Sequence, residues 1–198
     1  MLQKINVVVF DFDGTLSWPD SNLAFGKYCI GRSWRARLYI PVIGFAFLLR
    51  YFYRKGIFWR ELSRGFVTNK MISENIKGFA KLHKLNRFGW AREQIDKERS
   101  AGNKVVLISA SPDYLIKPLV SDIKFDAVLT SKMHANKPYK YEFLCWGKNK
   151  VVALDKWATE NKYIPHVVRC YSDSKTDLPL MEIADEQVWI NPKTGTRV

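Results

Sequence analysis

A chain of 198 residues, 47% of them hydrophobic, suits one domain, or one core carrying an insertion, with a sizeable buried interior. Its formal net charge of +13 favours anionic partners: phosphorylated metabolites, acidic lipid or nucleic acid. The apolar run Ile5 to Phe10 is too short for a secretory signal and ends in acids, and three cysteines without Cys-x-x-Cys spacing read as free thiols in a reducing cytoplasm.

Taken in order, the chain opens on a buried strand. Val7-Val8-Val9-Phe10 is β-branched or aromatic throughout and runs directly into Asp11-Phe12-Asp13-Gly14-Thr15-Leu16. Such a strand aims two carboxylates at the carboxyl edge of a sheet, where open α/β sheets bind ligands. Two acids so close repel each other unless a cation or a shared proton relieves them. An EF-hand loop fails on spacing, because its sixth position is Leu16 and its twelfth is Asn22.

Trp18 to Asn86 reads as all-helical and holds 13 Lys and Arg against 3 Asp and Glu. Its longest apolar run, Leu38 to Leu49, contains Pro41 and Gly44, and Arg35, Arg37, Arg50 and Arg54 flank it. The run is shorter than the roughly 20 residues a membrane span needs. It is expected as an apolar helix, or one broken near Pro41, either packed in the insertion or lying on a membrane surface. Arg60 to Leu85 carries apolar residues at helical spacing, from Leu62 and Phe66 to Phe79 and Leu82. His83 has no visible partner and receives no role.

Alternation returns after this segment. A helix is expected over Phe88 to Ser100 and a strand over Lys104 to Ser109. Ser109-Ala110-Ser111-Pro112 and a helix from Asp113 to about Val120 follow. Ser109 thus lies where a helix N-terminus favours an anion, although such a turn is ordinarily only a cap. Asp126 to Thr130 reads as a third strand and Lys132 to Leu144 as a hairpin or flap, with His134 an exposed loop residue. A helix opens at Gly147 with Lys150 near its start, the wrong end for a cation in the helix dipole. Pro165 to Tyr171 is a strand that ends in Ser172-Asp173-Ser174-Lys175-Thr176-Asp177. A short helix from Leu178 and a last strand over Gln187 to Ile190 complete the chain.

Parallel strands ending at Asp11, Ser109 and Asp173 would meet at one edge. In this order, with Lys150, the four stretches resemble the haloacid dehalogenase superfamily, specifically its phosphoserine-phosphatase-like branch. The resemblance implies an α/β fold: a Rossmann-like three-layer core with a parallel sheet over 1–17 and 86–198, and an all-helical cap inserted over 18–85. It implies a phosphatase in which Asp11 is the nucleophile and Asp13 the general acid/base. Ser109, Ala110 and Lys150 hold the phosphoryl group, and Asp11, Asp13 and Asp173 bind magnesium. Asp177 and Thr15 support the site.

Phosphoserine phosphatases follow the first motif with a glutamate that grips the substrate's amino group, and Asp20 holds that place here. Asp20, the Pro-interrupted apolar run and Cys145-Trp146-Gly147 resemble the phosphatidylglycerophosphatase C type instead. The expected substrate is a small or lipid-linked phosphate ester, at an anionic surface or in solution. Phosphoserine, another soluble metabolite, or transfer to an alcohol acceptor stand as alternatives. The expected location is cytoplasmic, or peripheral on the inner face of the membrane through the cap. Nucleic acid is not the expected partner, because the basic residues sit among long apolar segments without an aromatic platform.

Overall fold

The computed structural model describes residues 2–52 and 57–198. Strand β1 (Gln3–Phe10) buries Val7, Val8, Val9 and Phe10 completely. Each such side chain contributes about 1.5–3 kcal/mol of apolar burial. Successive residues face opposite sides of the sheet. Val8 and Phe10 join one core cluster with Ile95, Leu107, Leu115 and Tyr171, whereas Val7 and Val9 join a second with Val106, Ile108, Leu154 and Cys170. A strand covered on both faces has no polar side to show, which is why its sequence is continuously apolar.

Five helices follow β1: α1 (Ser21–Arg32), α2 (Trp34–Arg37), α3 (Ile40–Phe52), α4 (Ile57–Leu62) and α5 (Asn69–His83). The chain then runs through α6 (Trp90–Ser100), β2 (Lys104–Pro112), α7 (Asp113–Leu119), β3 (Ala127–His134) and β4 (Lys137–Phe143). It ends with α8 (Lys148–Glu160), β5 (Tyr163–Ser172), α9 (Leu178–Met181) and β6 (Glu186–Trp189). The six strands lie in the order β4-β3-β2-β1-β5-β6, and all neighbours are parallel except the β3–β4 hairpin. Helices cover both faces, giving the three-layer α/β architecture expected. The strand order turns back at β1, so the carboxyl ends of β2, β1 and β5 form the switch-point crevice of the sheet.

Of the two forms expected for the apolar run, the structure has the helix that continues past Pro41: α3 begins at Ile40, and Pro41 occupies its first turn, where a missing N–H costs nothing. Arg60 to Leu85 is not one helix. It stops at Leu62 and restarts after Thr68, whose hydroxyl accepts from the Met71 N–H at 3.2 Å. Gly65 allows the intervening turn to lie against Tyr39, since a Cβ there would meet the Tyr39 hydroxyl at 2.3 Å. Phe25 of α1 and Phe79 of α5 belong to the same core cluster as Phe10, so both helices are anchored on the sheet's own core.

Along α2, α3 and the turn between them, Trp34 is 66% exposed, Leu38 70%, Phe45 56% and Leu48 57%, whereas Ala46 is buried. The expectations placed on Arg54 and Lys55, and on the side chain of Arg50, lie outside the described residues. Among those residues no helix is long and apolar enough to cross a membrane.

The two connections to the helical segment pair with each other. Trp18 donates its N–H to the Asn86 carbonyl at 3.2 Å and Phe88 donates to the Leu16 carbonyl at 3.0 Å, with Ser17 opposite Arg87. His83 is buried beneath them, its Nε2 at 3.1 Å from the Pro19 carbonyl and its Nδ1 at 3.4 Å from the Ser17 hydroxyl. Burial pushes its pKa down, which favours the neutral ring.

Candidate active site

Asp11 sits one residue beyond β1, and its N–H donates to the Tyr171 carbonyl of β5 at 3.0 Å. The chain then turns sharply: the Thr15, Leu16 and Ser17 N–H groups all reach the Phe12 carbonyl, and Gly14 takes φ +83°. A side chain at Gly14 would also collide with Asp173, because a Cβ there would stand 2.3 Å from Asp173 Oδ2. The glycine therefore lets the β1 turn and the β5 turn close on each other. Thr15 bridges them: its hydroxyl lies 3.4 Å from Asp11 Oδ2 and 3.2 Å from Asp173 Oδ1, and accepts from the Asp173 N–H at 3.1 Å.

Lys150, expected near a helix start, is 2% exposed. Its Nζ donates to Asp11 Oδ1 and to Asp177 Oδ2, both at 2.7 Å. Asp177 Oδ2 also accepts from the Ser172 hydroxyl at 2.7 Å. Burial alone would lower the lysine's pKa, but the two carboxylates hold it above its ordinary value, so the ammonium stays charged. Its unfavourable place in the helix dipole is outweighed by these two contacts.

The Asp13 carboxylate turns to the helical segment instead. Oδ1 accepts from the Ser21 N–H at 2.6 Å, and Oδ2 accepts from the Ser21 hydroxyl at 3.0 Å and the Ser111 hydroxyl at 2.5 Å. Asp13 thus receives the start of α1. The two acids are held differently, one by an ammonium and one by hydroxyls. Burial pushes Asp11 up to about 7, with Lys150 opposing, and pushes Asp13 up to about 6, with Asp20 adding and Ser111 opposing. Asp173 is raised by burial as well.

Strand β2 runs on past Ser109 to Pro112 and bulges between those residues in its pairing with β3. The Ser109 hydroxyl accepts from the Ser111 N–H at 3.1 Å, and the Ala110 carbonyl accepts from the Ser131 hydroxyl at 2.7 Å. Asp20 caps α1, taking the Leu23 N–H at 2.9 Å. His134 is exposed, but it ends strand β3 opposite Lys137 of β4 rather than lying in a loop.

Among the described residues no three His, Cys, Asp or Glu stand grouped as a ready metal site. Both Asp13 oxygens accept from serine donors. Asp11 and Asp173, flanking Thr15, remain an all-oxygen pair. Magnesium is commonly held by one or two carboxylates while keeping several waters, so this pair fits it.

Sequence reasoning missed Ser21, Asn22, Arg64 and Ser131. Asn22 Nδ2 donates to the Ser111 hydroxyl at 2.6 Å, and Asn22 Oδ1 accepts from Arg64 Nη1 at 2.9 Å. Ser21 and Asn22 follow an N-cap acid and read as an ordinary helix start, and Arg64 as one of many arginines in a basic segment.

The model of haloacid dehalogenase-like hydrolases matches residues 8–182. The chain belongs to that family. It is 26% identical over 200 residues to the protein CicA of Caulobacter vibrioides, covering 91% of this chain and 84% of that one. It is 29% identical over 113 residues to a probable phosphatase of Mycobacterium tuberculosis, covering 56% of this chain and 39% of that protein. The match thus spans about two fifths of the mycobacterial relative's length. A phosphoserine phosphohydrolase-like protein from Francisella tularensis shares the fold with a TM-score of 0.64 at 17% identity, over 94% of this chain and 87% of that one. The haloacid dehalogenase-like core therefore accounts for the meeting of the β1, β2 and β5 ends.

Proposed function

We propose that the protein is a magnesium-dependent phosphomonoester hydrolase that works through an aspartyl-phosphate on Asp11. The observation that carries this reading is the contrast between the two acids. Lys150 Nζ holds Asp11 Oδ1 at 2.7 Å, whereas serine donors alone meet Asp13. The ammonium favours the ionised form of Asp11 against the burial that raises it, and an ionised oxygen there would attack phosphorus. Asp13, raised to about 6 and met by serine donors, can give and take a proton near neutral pH.

In the first half-reaction an Asp11 oxygen forms a bond to phosphorus and the ester P–O bond breaks. The alcohol leaves with a proton from Asp13. In the second, water attacks the phosphorus, Asp13 takes its proton, and the Asp11–phosphate bond breaks to release inorganic phosphate. Lys150 lies beside the attacking oxygen, where it can offset phosphoryl charge, and Asp177 fixes it there. Ser109 and the Ala110 backbone, at the bulged end of β2, would hold the phosphoryl group. Asp11 and Asp173 would hold magnesium, which supplies positive charge between carboxylates and phosphate. Residues 18–85 act as a cap, hinged at the paired connections around Ser17 and Arg87.

The substrate is a small or lipid-linked phosphate ester such as phosphatidylglycerophosphate, with phosphoserine and transfer to an alcohol as alternatives. Phosphate release from phosphoserine, sugar phosphates and phosphatidylglycerophosphate, with magnesium present, tests the reading. Asp11→Asn is expected to lower turnover at least about a thousandfold with an unchanged melting temperature. Near-normal release by that variant overturns the assignment, and a phosphorylated alcohol among the products would establish phosphotransfer instead.

A further inference from the structure

A cavity of about 390 Å³ lies between the inserted helices and the core, with Asn22 of α1, Tyr114 of α7 and Tyr141 of β4 in its wall. Its walls are largely apolar, with Phe25, Ile30, Ile43, Ala46, Phe66 and Tyr114 prominent. One hydrogen-bonded chain ties it to the reacting groups. Arg64 Nη1 donates to Asn22 Oδ1 at 2.9 Å, Asn22 Nδ2 donates to the Ser111 hydroxyl at 2.6 Å, and that hydroxyl donates to Asp13 Oδ2 at 2.5 Å. Asn22, in the cavity wall, is therefore one serine hydroxyl away from Asp13, the acid that, on the hydrolase reading, protonates the departing alcohol.

Arg64 is only partly satisfied there. Its guanidinium lies 4.7 Å from the centre of the Tyr141 ring, which fixes its plane. Its Nε and Nη2 atoms are buried, and neither meets a hydrogen-bond acceptor among the described residues. Buried donors without acceptors are costly, and a guanidinium fork matches a carboxylate or phosphate edge-on. Lys27 lines the same cavity, and Asp20, engaged in capping α1, is the one acid among the lining residues.

We propose that this cavity is the leaving-group pocket and that it selects phosphate monoesters whose alcohol carries both an apolar body and a second anionic group, the anion seated on Arg64. The proposal rests on the hydrolase reading and names the class of alcohol that reading leaves open. The volume is near the low end for small-molecule sites. It accommodates a small amphiphile, or the head group and chain roots of a lipid ester, whose chains would continue out of the cavity.

Four esters separate the two features: ethyl phosphate, 2-phenylethyl phosphate, phosphoglycolate and 3-phenyl-2-phospholactate. The full chain should hydrolyse 3-phenyl-2-phospholactate with kcat/KM about tenfold or more above each of the other three. In Arg64→Gln the ratio of 3-phenyl-2-phospholactate to 2-phenylethyl phosphate should fall about tenfold, and Arg64→Lys should restore part of it. A readout that needs no variant is product inhibition of the wild type, by 3-phenyllactate and not by 2-phenylethanol. Phosphatidylglycerophosphate in detergent micelles, as a fifth ester, distinguishes a lipid source from a soluble one by whether it exceeds 3-phenyl-2-phospholactate. Equal kcat/KM on the four soluble esters, or a ratio unmoved in Arg64→Gln with no inhibition by 3-phenyllactate, overturns the pocket assignment alone. No hydrolysis of any ester overturns the hydrolase reading beneath it.

Discussion

At the scale of the residue, the site depends on where single atoms can fit. Gly14 combines a positive φ of +83° with contact against the Asp173 carboxylate. Gly14→Ala would pay twice, with backbone strain of roughly 1–2 kcal/mol and a displaced Asp173. Activity with magnesium should therefore fall far more than urea-measured stability does. A variant whose losses are confined to stability would show that Asp173 can move without consequence. Lys150 illustrates how little a local preference can mean. A cation at a helix N-terminus loses a few tenths to about 1 kcal/mol to the dipole, whereas two buried carboxylates left without their ammonium would cost about 3–5 kcal/mol.

At the scale of the element, the return connection from the helical segment is clamped by charge. Arg87 Nη1 meets Asp122 Oδ2 at 2.6 Å, and Lys84 Nζ lies 2.9 Å from Asp122 Oδ1. Arg87, with Lys84, holds the Asp122 carboxyl well below the usual carboxylate range. A depressed folded-state pKa stabilises fully above the unfolded value, about 3.9, and the contribution declines below it and is lost only as pH falls through the folded-state value. Melting temperatures of wild type and Asp122→Asn should therefore differ by a constant amount near neutrality and by progressively less as pH drops below about 4. A gap that does not shrink at all below about pH 4 would mean that packing, not the charge, is responsible.

The second element-scale expectation concerns α2 and α3. Their exposed Trp34, Leu38, Phe45 and Leu48 lie near the exposed Arg35 and Arg37, a combination that suits the surface of an anionic bilayer. Each arginine adds roughly 1 kcal/mol of attraction, giving reversible, salt-sensitive binding. Vesicle flotation should recover the wild type with anionic but not neutral lipid, and Phe45→Asp with Leu48→Asp should abolish it. Failure to float with either lipid at low salt would place the substrate in solution.

At the scale of the whole molecule, three strand ends from distant parts of the chain make one crevice, and a ligand there should stabilise the fold as a unit. Magnesium at a hundred times its dissociation constant adds about 2.7 kcal/mol, which for a domain of this size is a rise of about 5–10 °C in melting temperature. Asp173→Asn should lose that rise. An unchanged wild-type melting temperature in millimolar magnesium would argue that the Asp11–Asp173 pair does not take the ion.

The sequence by itself determined the sheet and the order of its acids. Burial on both faces demands continuous apolar strands, and a strand that stops at Asp11 or Ser172-Asp173 must deliver those groups to its carboxyl edge. The helical character of the inserted segment was legible for the same reason: local composition suffices to state it. Tertiary structure alone decided which partner each charged group found. Lys150 meets Asp177 across 27 positions, and Arg64 reaches Asn22 across 42. The division between Asp13 on its serines and Asp11 on its lysine follows from how α1 docks over the bulge in β2. Hydrogen bonds of that kind depend on distances that close only when helices and strands pack, and hydrophobic spacing along the chain carries no record of them.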